Sequence, residues 1–436
     1  MKLGIVSLGC DKATVDSEAL LARFVGHGAL VTTDLSEADV IVVNTCGFID
    51  AAKRESIEAM LAAARMKDEG RCRAVVAVGC LVTRYKAELQ REIPEVDYFC
   101  GFQDLPGLVP QLVADGLVDD PLVAHPGMRF FFGTKPHVRY LKISEGCDHT
   151  CAFCAIPLMR GKHRSRPLEE LVREAQELES QGAREINLVA QDLGHYGRDL
   201  PAAARLPDLI RALLRETSVS WYRPLYVYSA GISPALVELF ATEPRLVRYI
   251  DMPIQHASDR MLALMRRPER KDTIRAKVSW LREAVPGMSV RTTALVGFPT
   301  ETDAEFRELL ELVDELQFDR LGAFAYSAQE GTGAAALPDD VPERVKQDRL
   351  EQLLELQRAV SAERLGRLVG QDLDVLVDEV AEPGDPGQLI ARAAFQADDV
   401  DGCTYLRASA ATSPGEFVRA HVVDTLDYDL VAESAA

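Results

Sequence analysis

The residues best able to do chemistry in this chain are its cysteines. Cys147, Cys151 and Cys154 stand four and three residues apart in Gly146-Cys147-Asp148-His149-Thr150-Cys151-Ala152-Phe153-Cys154, just after an apolar run from Tyr140 to Ile143. Three thiolates in one short loop can hold one face of a cubane iron–sulfur cluster. A cubane has four irons, so one iron is left open to bind a reactant. The same residues could hold zinc, with His149 or His163 closing a tetrahedral site. They could also be disulfide-bonded or simply buried thiols.

A second group lies nearer the start. Three β-branched runs end in cysteine: Leu3 to Gly9 before Cys10, Val40 to Thr45 before Cys46, and Ala74 to Gly79 before Cys80. Helical patterns lie between them, such as Ser17 to Val25 and Ala51 to Met66. Continuous apolar runs alternating with helices predict a parallel α/β sheet covered on both faces. Sites in such sheets form beyond the carboxyl ends of the strands. The three cysteines therefore point to one sheet edge, where they would suit a second three-thiolate cluster. Spacing alone does not single them out, because Cys100 also follows a strand-like run, Val96 to Phe99. Cys72 sits in the polar loop Gly70-Arg71-Cys72-Arg73 and reads as incidental.

The elements that must position these cysteines need room, and 436 residues provide for two or three domains. No stretch approaches the ~20 apolar residues of a membrane span, so no membrane association is expected. The opening Met1-Lys2-Leu3-Gly4-Ile5-Val6 runs directly into a strand-like segment without the features of a secretion signal. A cytoplasmic setting follows as the expectation, in which nine cysteines speak for metal or redox chemistry rather than a disulfide framework. The formal net charge of −19 argues against a broad nucleic-acid-binding surface and suits a basic protein partner.

These motifs together resemble the methylthiotransferase family of radical S-adenosylmethionine (SAM) enzymes, in order along the whole chain. Cys-x-x-x-Cys-x-x-Cys is similar to the radical SAM signature. Leu8-Gly9-Cys10 with Asp16-Ser17-Glu18, Asn44-Thr45-Cys46-Gly47-Phe48, and Gly79-Cys80-Leu81 with Arg84-Tyr85 are similar to the three cluster-binding motifs of the family's N-terminal domain. Ala13 departs from the family's usual Asn. The resemblance implies two [4Fe-4S] clusters, on Cys10, Cys46 and Cys80 and on Cys147, Cys151 and Cys154, the second binding SAM. It also implies an aspartate or nucleoside substrate carbon attacked through a 5′-deoxyadenosyl radical, and a low-potential electron donor such as flavodoxin or ferredoxin.

After the cysteine loop, helix-like and strand-like segments alternate. Strands are predicted at Glu185–Val189, Leu225–Tyr228, Val247–Met252, Ser289–Val296 and Arg320–Tyr326, each preceded by a helix. Such β-then-α units imply a parallel barrel or half barrel with catalytic groups at the strand carboxyl ends. The resemblance implies the six-stranded partial barrel of radical SAM enzymes. Gln191 and Asp192, at the end of the second strand, are cofactor-binding candidates, Asp192 reading equally well as a turn cap. Gly297 would let a ligand approach the backbone, and Phe153 would pack near adenine or cover the cluster. Gln255 and His256 are substrate-pocket candidates.

A long amphipathic pattern from Pro342 to Leu368 then leads to short alternating runs, including Leu373–Val377, Leu389–Arg392 and Phe417–Val423. These predict a small antiparallel β-barrel, which resembles a TRAM module. From Gln371 onward it carries fourteen acids against three bases, so RNA binding is disfavoured and a basic polypeptide favoured. Domain boundaries are expected at 1–116, a linker at 117–132, a radical SAM core at 133–364 and the TRAM module at 366–436. Ile156-Pro157-Leu158-Met159-Arg160-Gly161 resembles the branch that modifies an aspartate of the twelfth small-subunit ribosomal protein, a basic protein. Leu158 stands where the tRNA-modifying branch usually has Tyr, which makes Leu158 and Met159 substrate-binding candidates. A tRNA-adenosine methylthiotransferase is the alternative, and a non-catalytic iron–sulfur or zinc-binding protein is the alternative of another kind.

Overall fold

The structure is a computed structural model that describes residues 1–119, 129–201, 204–408 and 412–435. The expected linker at 117–132 therefore lies partly outside the described residues. The chain forms two compact units. One comprises Met1–Gly133, Glu145–His149 and Cys154–His163. The other comprises Thr134–Ser144, Thr150–Phe153 and Arg164–Ala436.

The first unit is built on five parallel strands, β1 (Lys2–Ser7), β2 (Leu30–Thr32), β3 (Val40–Thr45), β4 (Ala74–Gly79) and β5 (Tyr98–Cys100), in the order β2-β1-β3-β4-β5. Every residue of β3 and β4 is buried. Alternation sends successive side chains to opposite faces. Ile41, Val43, Val75 and Ala77 pack on one face with Met60, Leu81 and Leu89, while Val40, Val42, Val76 and Val78 pack on the other with Leu21, Phe24, Leu108 and Leu112. The covering helices are α1 (Asp11–Gly26), α2 (Asp50–Glu69), α3 (Cys80–Glu92) and α4 (Leu105–Ala114). The short helix α5 (Ile156–Arg160) also belongs to this unit. Strand β2 escaped the sequence reading because three residues are too few to show a period.

The second unit holds two parallel three-stranded sheets. One is ordered β10-β9-β6, with β6 (Val138–Lys142), β9 (Glu185–Val189) and β10 (Trp221–Pro224). The other is ordered β11-β12-β13, with β11 (Tyr249–Asp251), β12 (Ser289–Val296) and β13 (Arg320–Ala325). A parallel bridge, Tyr222 to Leu246, links the two. Two-residue strands β7 (Ser144–Glu145) and β8 (Arg164–Ser165) flank the cysteine loop. Helices α6 (Leu168–Ser180), α7 (Leu206–Glu216), α8 (Pro234–Thr242), α9 (Asp259–Leu264), α10 (Lys271–Ala284) and α11 (Asp303–Leu316) alternate with the strands. This is the partial barrel the β-then-α pattern predicts. The strand expected at Leu225–Tyr228 lies instead at Trp221–Pro224. Tyr226 adopts φ 63° and breaks the extended run, and Arg223, which reads as polar, is a fully buried strand residue bonded to Glu185 at 2.8 Å.

Helix α12 (Glu343–Gly366) leads to a closed five-stranded barrel, β14 (Asp372–Val380), β15 (Leu389–Ala393), β16 (Thr404–Arg407), β17 (Phe417–Thr425) and β18 (Leu430–Ser434), in the order β14-β15-β16-β18-β17. It is antiparallel except where β16 meets β18. Its contact with the partial barrel is charged. Glu185 at the start of β9 receives Arg223 and Arg392, each at 2.8 Å. Arg392 also binds Asp378 at 2.6 Å, Lys135 binds Asp398 at 2.7 Å, and Tyr249 donates to Asp401 at 2.8 Å. All of these groups but Lys135 are nearly or fully buried. They lie at the amino-terminal ends of the barrel strands, so the small β-barrel leaves the carboxyl ends for chemistry. Three acids counted toward an acidic docking face, Asp378, Asp398 and Asp401, are thus consumed inside the molecule. The surface that could attract a basic partner is less acidic than composition suggests.

Candidate metal centres

In the first unit β1, β3 and β4 lie side by side and parallel, so the residues following them meet at one edge. Cys10 is the N-cap of α1, Cys46 follows β3, and Cys80 opens α3. Gly9 and Gly79 bend the chain into the two helices with φ of 101° and 100°. A Cβ on Gly9 would lie 3.4 Å from the Cys46 Sγ, and one on Gly79 would strike the Thr45 carbonyl oxygen at 2.5 Å, so only glycine fits. Ser56 holds the Cys46 backbone, accepting its N–H and donating to its carbonyl, both at 2.9 Å. Asn44 donates to the Ala13 carbonyl at 3.0 Å and to the Ser17 hydroxyl at 2.9 Å. The bond to position 13 is made by the main chain, so Ala13 in place of Asn does not remove it.

Burial pushes the Cys80 thiol up to about 11, against the pull of the Arg160 charge and its hydrogen bond, with Cys10 and Cys46 adding to the rise. Burial also raises Cys46, whose field includes the Phe48 N–H, Cys10 and Arg160. The three thiols thus sense one another. Cys100 is raised by burial too, but its charged neighbours are Lys86 and Asp104. Cys72 is buried and donates to the Ala74 carbonyl at 3.3 Å. The structure brings Cys10, Cys46 and Cys80 together and leaves Cys72 and Cys100 apart.

Arg160 is the residue that motif reading undervalued. Its guanidinium is buried, bonded to Asp16 at 2.8 Å and to Glu145 at 3.0 and 3.1 Å, and stacked 4.2 Å from the Phe102 ring centre. In the sequence it stood only as a member of the Ile156–Gly161 motif. A closed zinc site would need a fourth donor, whereas Arg160, the cation whose charge lowers the Cys80 thiol, cannot ligate. Three thiols at one sheet edge are the donor set that a cubane iron–sulfur cluster with one open iron takes.

The cysteine loop follows β6. Cys147 donates its N–H to the Gly161 carbonyl at 3.1 Å, and Gly146 has φ 77° because a Cβ there would overlap the Lys162 carbonyl. In the second unit the Cys151 Sγ lies 3.9 Å from the Tyr228 hydroxyl and 3.9 Å from Arg267 Nη1. Arg267 stacks 3.7 Å over the Tyr228 ring and donates to the Pro253 carbonyl and to Glu269. Ala152 and half-buried Phe153 pack into an apolar group with Met261, Met265, Leu295, Phe298, Tyr326 and Ala334.

The remaining candidates divide. Asp192 is buried and caps a turn, accepting from the Gly194 and Tyr228 N–H groups at 2.9 and 3.2 Å. Gln191 beside it is half-buried. Gln255 is half-buried with φ 68°, bridged to Ala294 at the end of β12, a strained backbone of the kind found at sites. His256, expected on the pocket wall, lies instead in the core, fully buried, accepting from the Ser258 N–H at 3.0 Å and facing Glu301 at 3.6 Å. A Cβ on Gly297 would approach the Lys346 Cβ to 2.9 Å, so this glycine makes room for Lys346. Leu158 is 51% exposed, whereas Met159 is 2% exposed and serves the packing of α5, so only Leu158 offers a contact surface.

Comparison with known proteins matches this layout. Residues 2–101 match the uncharacterized protein family UPF0004, residues 141–313 the radical SAM superfamily and residues 369–434 the TRAM domain. The fold is that of the radical SAM methyltransferase TsrM from Kitasatospora setae, with a TM-score of 0.55 at 12% identity over 74% of this chain and 71% of that one. The cobalamin-dependent SAM radical enzyme OxsB superposes with a TM-score of 0.50 at 11% identity over 82% of this chain and 56% of that one. The class is therefore that of radical SAM enzymes, which work with SAM and an iron–sulfur cluster. The ribosomal protein uS12 methylthiotransferase RimO of Anaeromyxobacter sp. (strain K) is 45% identical over 99% of this chain and 92% of its own length. Its counterparts in Geobacter sulfurreducens and Desulforudis audaxviator are 44% and 46% identical over 99% of this chain and 98% and 96% of theirs. The chain belongs to the RimO methylthiotransferase family, and it is a transferase.

Proposed function

We propose that this protein attaches a methylthio group to the β-carbon of an aspartate in ribosomal protein uS12, using two SAM molecules and two [4Fe-4S] clusters. The observation that carries the reading is the convergence of Cys10, Cys46 and Cys80 at one sheet edge, in a chain of this family that also holds Cys147, Cys151 and Cys154. When bound, the clusters and SAM supply homolytic attack on an unactivated C–H bond, which no side-chain base can deprotonate, and the sulfur to be delivered. The chain's own residues prepare for this. Gly9 and Gly79 let Cys10 and Cys80 turn toward Cys46, and Ser56 fixes Cys46. Arg267 and Tyr228 flank Cys151, while Ala152 and Phe153 cover the loop with apolar surface that keeps water from a reactive radical. Leu158 presents an apolar contact to the substrate, and Gln255 offers a polar one. We assign Cys100 no role.

The expected partners are uS12 and a low-potential flavodoxin or ferredoxin, in the cytoplasm. No helix among the described residues is long and apolar enough to cross a membrane. The boundaries 1–116, 133–364 and 366–436 are proposed as functional modules. Mass spectrometry of the uS12 target aspartate, with and without the gene, tests the reading. The methylthio mass should vanish from uS12 in the deletion strain. Its loss from tRNA instead would make the substrate an adenosine.

A further inference from the structure

We infer that Arg267 is a positioning residue of the iron–sulfur cluster that Cys151 serves, its Nη1 donating to the Cys151 sulfur and placing a positive charge beside it. The inference rests on the reading of the cysteine loop as a cluster site and assigns that site a partner beyond its ligands. Arg267, Tyr228 and Cys151 all belong to the second unit. The Arg267 Nη1 lies 3.9 Å from the Cys151 Sγ, and the Tyr228 hydroxyl lies 3.9 Å from the same atom. A ligating thiolate carries no proton, so both contacts then run from N–H or O–H to sulfur. The approach is built into the chain. Arg267 follows α9 in a turn where Arg266 adopts φ 56°, a conformation uncommon outside glycine. The same turn is tied to the cysteine loop, since Ala152, next to Cys151, donates its N–H to the Met265 carbonyl at 2.9 Å. The guanidinium stacks 3.7 Å over the Tyr228 ring. Nη2 donates to the Pro253 carbonyl at 2.7 Å and to Glu269 at 3.2 Å, which leaves the other arm of the rigid fork, Nη1, for the sulfur.

Scaffolding alone does not account for this pair. The Arg267 and Glu269 side chains are 3% and 4% exposed, yet the Arg267 Nε and the Glu269 Oε2 have no hydrogen-bond partner among the described residues. A buried ion pair with unmet atoms is a poor source of stability beside apolar packing. Next to sulfur the charge has a use. So little exposed to water, it is weakly screened, and net charge and hydrogen bonds to sulfur are among the levers that set a cluster's potential. Arg267 therefore makes the cluster easier for a low-potential electron donor to reduce.

A strut that only ties the turn to Pro253 would leave the potential alone. The test uses the full chain with Cys10, Cys46 and Cys80 changed to Ala, so that iron added anaerobically with sulfide occupies only the cysteine loop. Iron content and an EPR-monitored reductive titration are measured for this parent and for Arg267→Met and Arg267→Lys in it. In Arg267→Met the reduction equilibrium constant should fall at least tenfold, which is about 59 mV for a one-electron couple. Arg267→Lys, which keeps the charge without the fork, should show less than half of that shift. Iron lost from the Met variant but kept in the Lys variant also supports the inference. An unshifted potential in Arg267→Met overturns it. So does a fall in Arg267→Lys as large as that in Arg267→Met, which would make lost packing the cause. Loss of iron from both variants overturns it as well and would make Arg267 a strut. A parent that takes up no iron overturns the loop-cluster reading itself.

Discussion

The two cysteine sets reach the same donor chemistry by opposite routes. Cys147, Cys151 and Cys154 lie within eight residues, so chain connectivity alone limits their separation. Cys10, Cys46 and Cys80 are dozens of residues apart and meet because β1, β3 and β4 are adjacent and parallel. Both sets depend on a glycine of positive φ placed directly before a cysteine, Gly79 before Cys80 and Gly146 before Cys147. The difference teaches that the loop set is robust to damage in the scaffold, while the sheet-edge set is only as good as the sheet beneath it.

The largest test separates the two sets by chemistry. Cys151→Ala should abolish SAM cleavage and methylthio transfer together. Cys80→Ala should abolish transfer to uS12 while 5′-deoxyadenosine is still formed, read by chromatography of the reaction. Cys100→Ala should change neither. Transfer surviving in Cys80→Ala would break the comparison outright.

The glycines come next. Gly79 has φ 100° and ψ −162°, a region essentially reserved for glycine, and an Ala there costs on the order of 1–3 kcal/mol before any clash. Gly79→Ala should lose the iron of the first site and lower the urea midpoint. Gly146→Ala should lose only the iron bound by the loop, with the midpoint closer to that of the parent. Iron counts on the two reconstituted variants measure this.

A smaller effect is expected at the supports. Ser56→Ala leaves the part-buried Cys46 N–H and carbonyl without this partner, at about 1–3 kcal/mol. Asp148→Ala removes one bond to the His163 N–H, 3.1 Å long, at about 1 kcal/mol. The first should slow reconstitution of its site more than the second slows its own. Equal rates would mean that the sheet edge is no more demanding than the loop.

The smallest is a pH effect on the scaffold of the second unit. Burial opposes ionisation of Glu305, but hydrogen bonds from Arg260 and from the backbone and hydroxyl of Thr302 outweigh it and bring the carboxyl down to about 2. Since that lies below its ordinary 4.5, its contribution is present above about pH 5 and is lost as pH falls toward 2. Glu305→Gln should flatten stability against pH in that window, by at most about 3 kcal/mol, measured by urea melts across the range. Iron binding by either cysteine set at neutral pH should be untouched.

What could be read from the chain follows from where each signal is stored. The loop cysteines, the buried runs of β3 and β4, and helices such as α11 are local patterns, so their types and spacing suffice. Cys46 and Cys80 could be nominated from strand ends, but Cys100 also ends a strand, β5, and only packing separates them. Its charged neighbours are Lys86 and Asp104, whereas the field at Cys80 includes Cys10 and Cys46. His256 misled for the same reason. A histidine at a strand end looks the same whether it faces a ligand or the core. The acidic count of the last module misled because charge in a sequence carries no address, and Asp378, Asp398 and Asp401 are spent on buried cations.

The sequence by itself thus determined most of the elements and the family, because these rest on periodicity and short spacings. Tertiary structure alone decided which distant thiols share an edge, which candidates are core, and that Arg160 is buried against Asp16 and Glu145 rather than exposed. Those outcomes depend on strand order and on desolvation, which are properties of the packed chain and not of any one stretch of it.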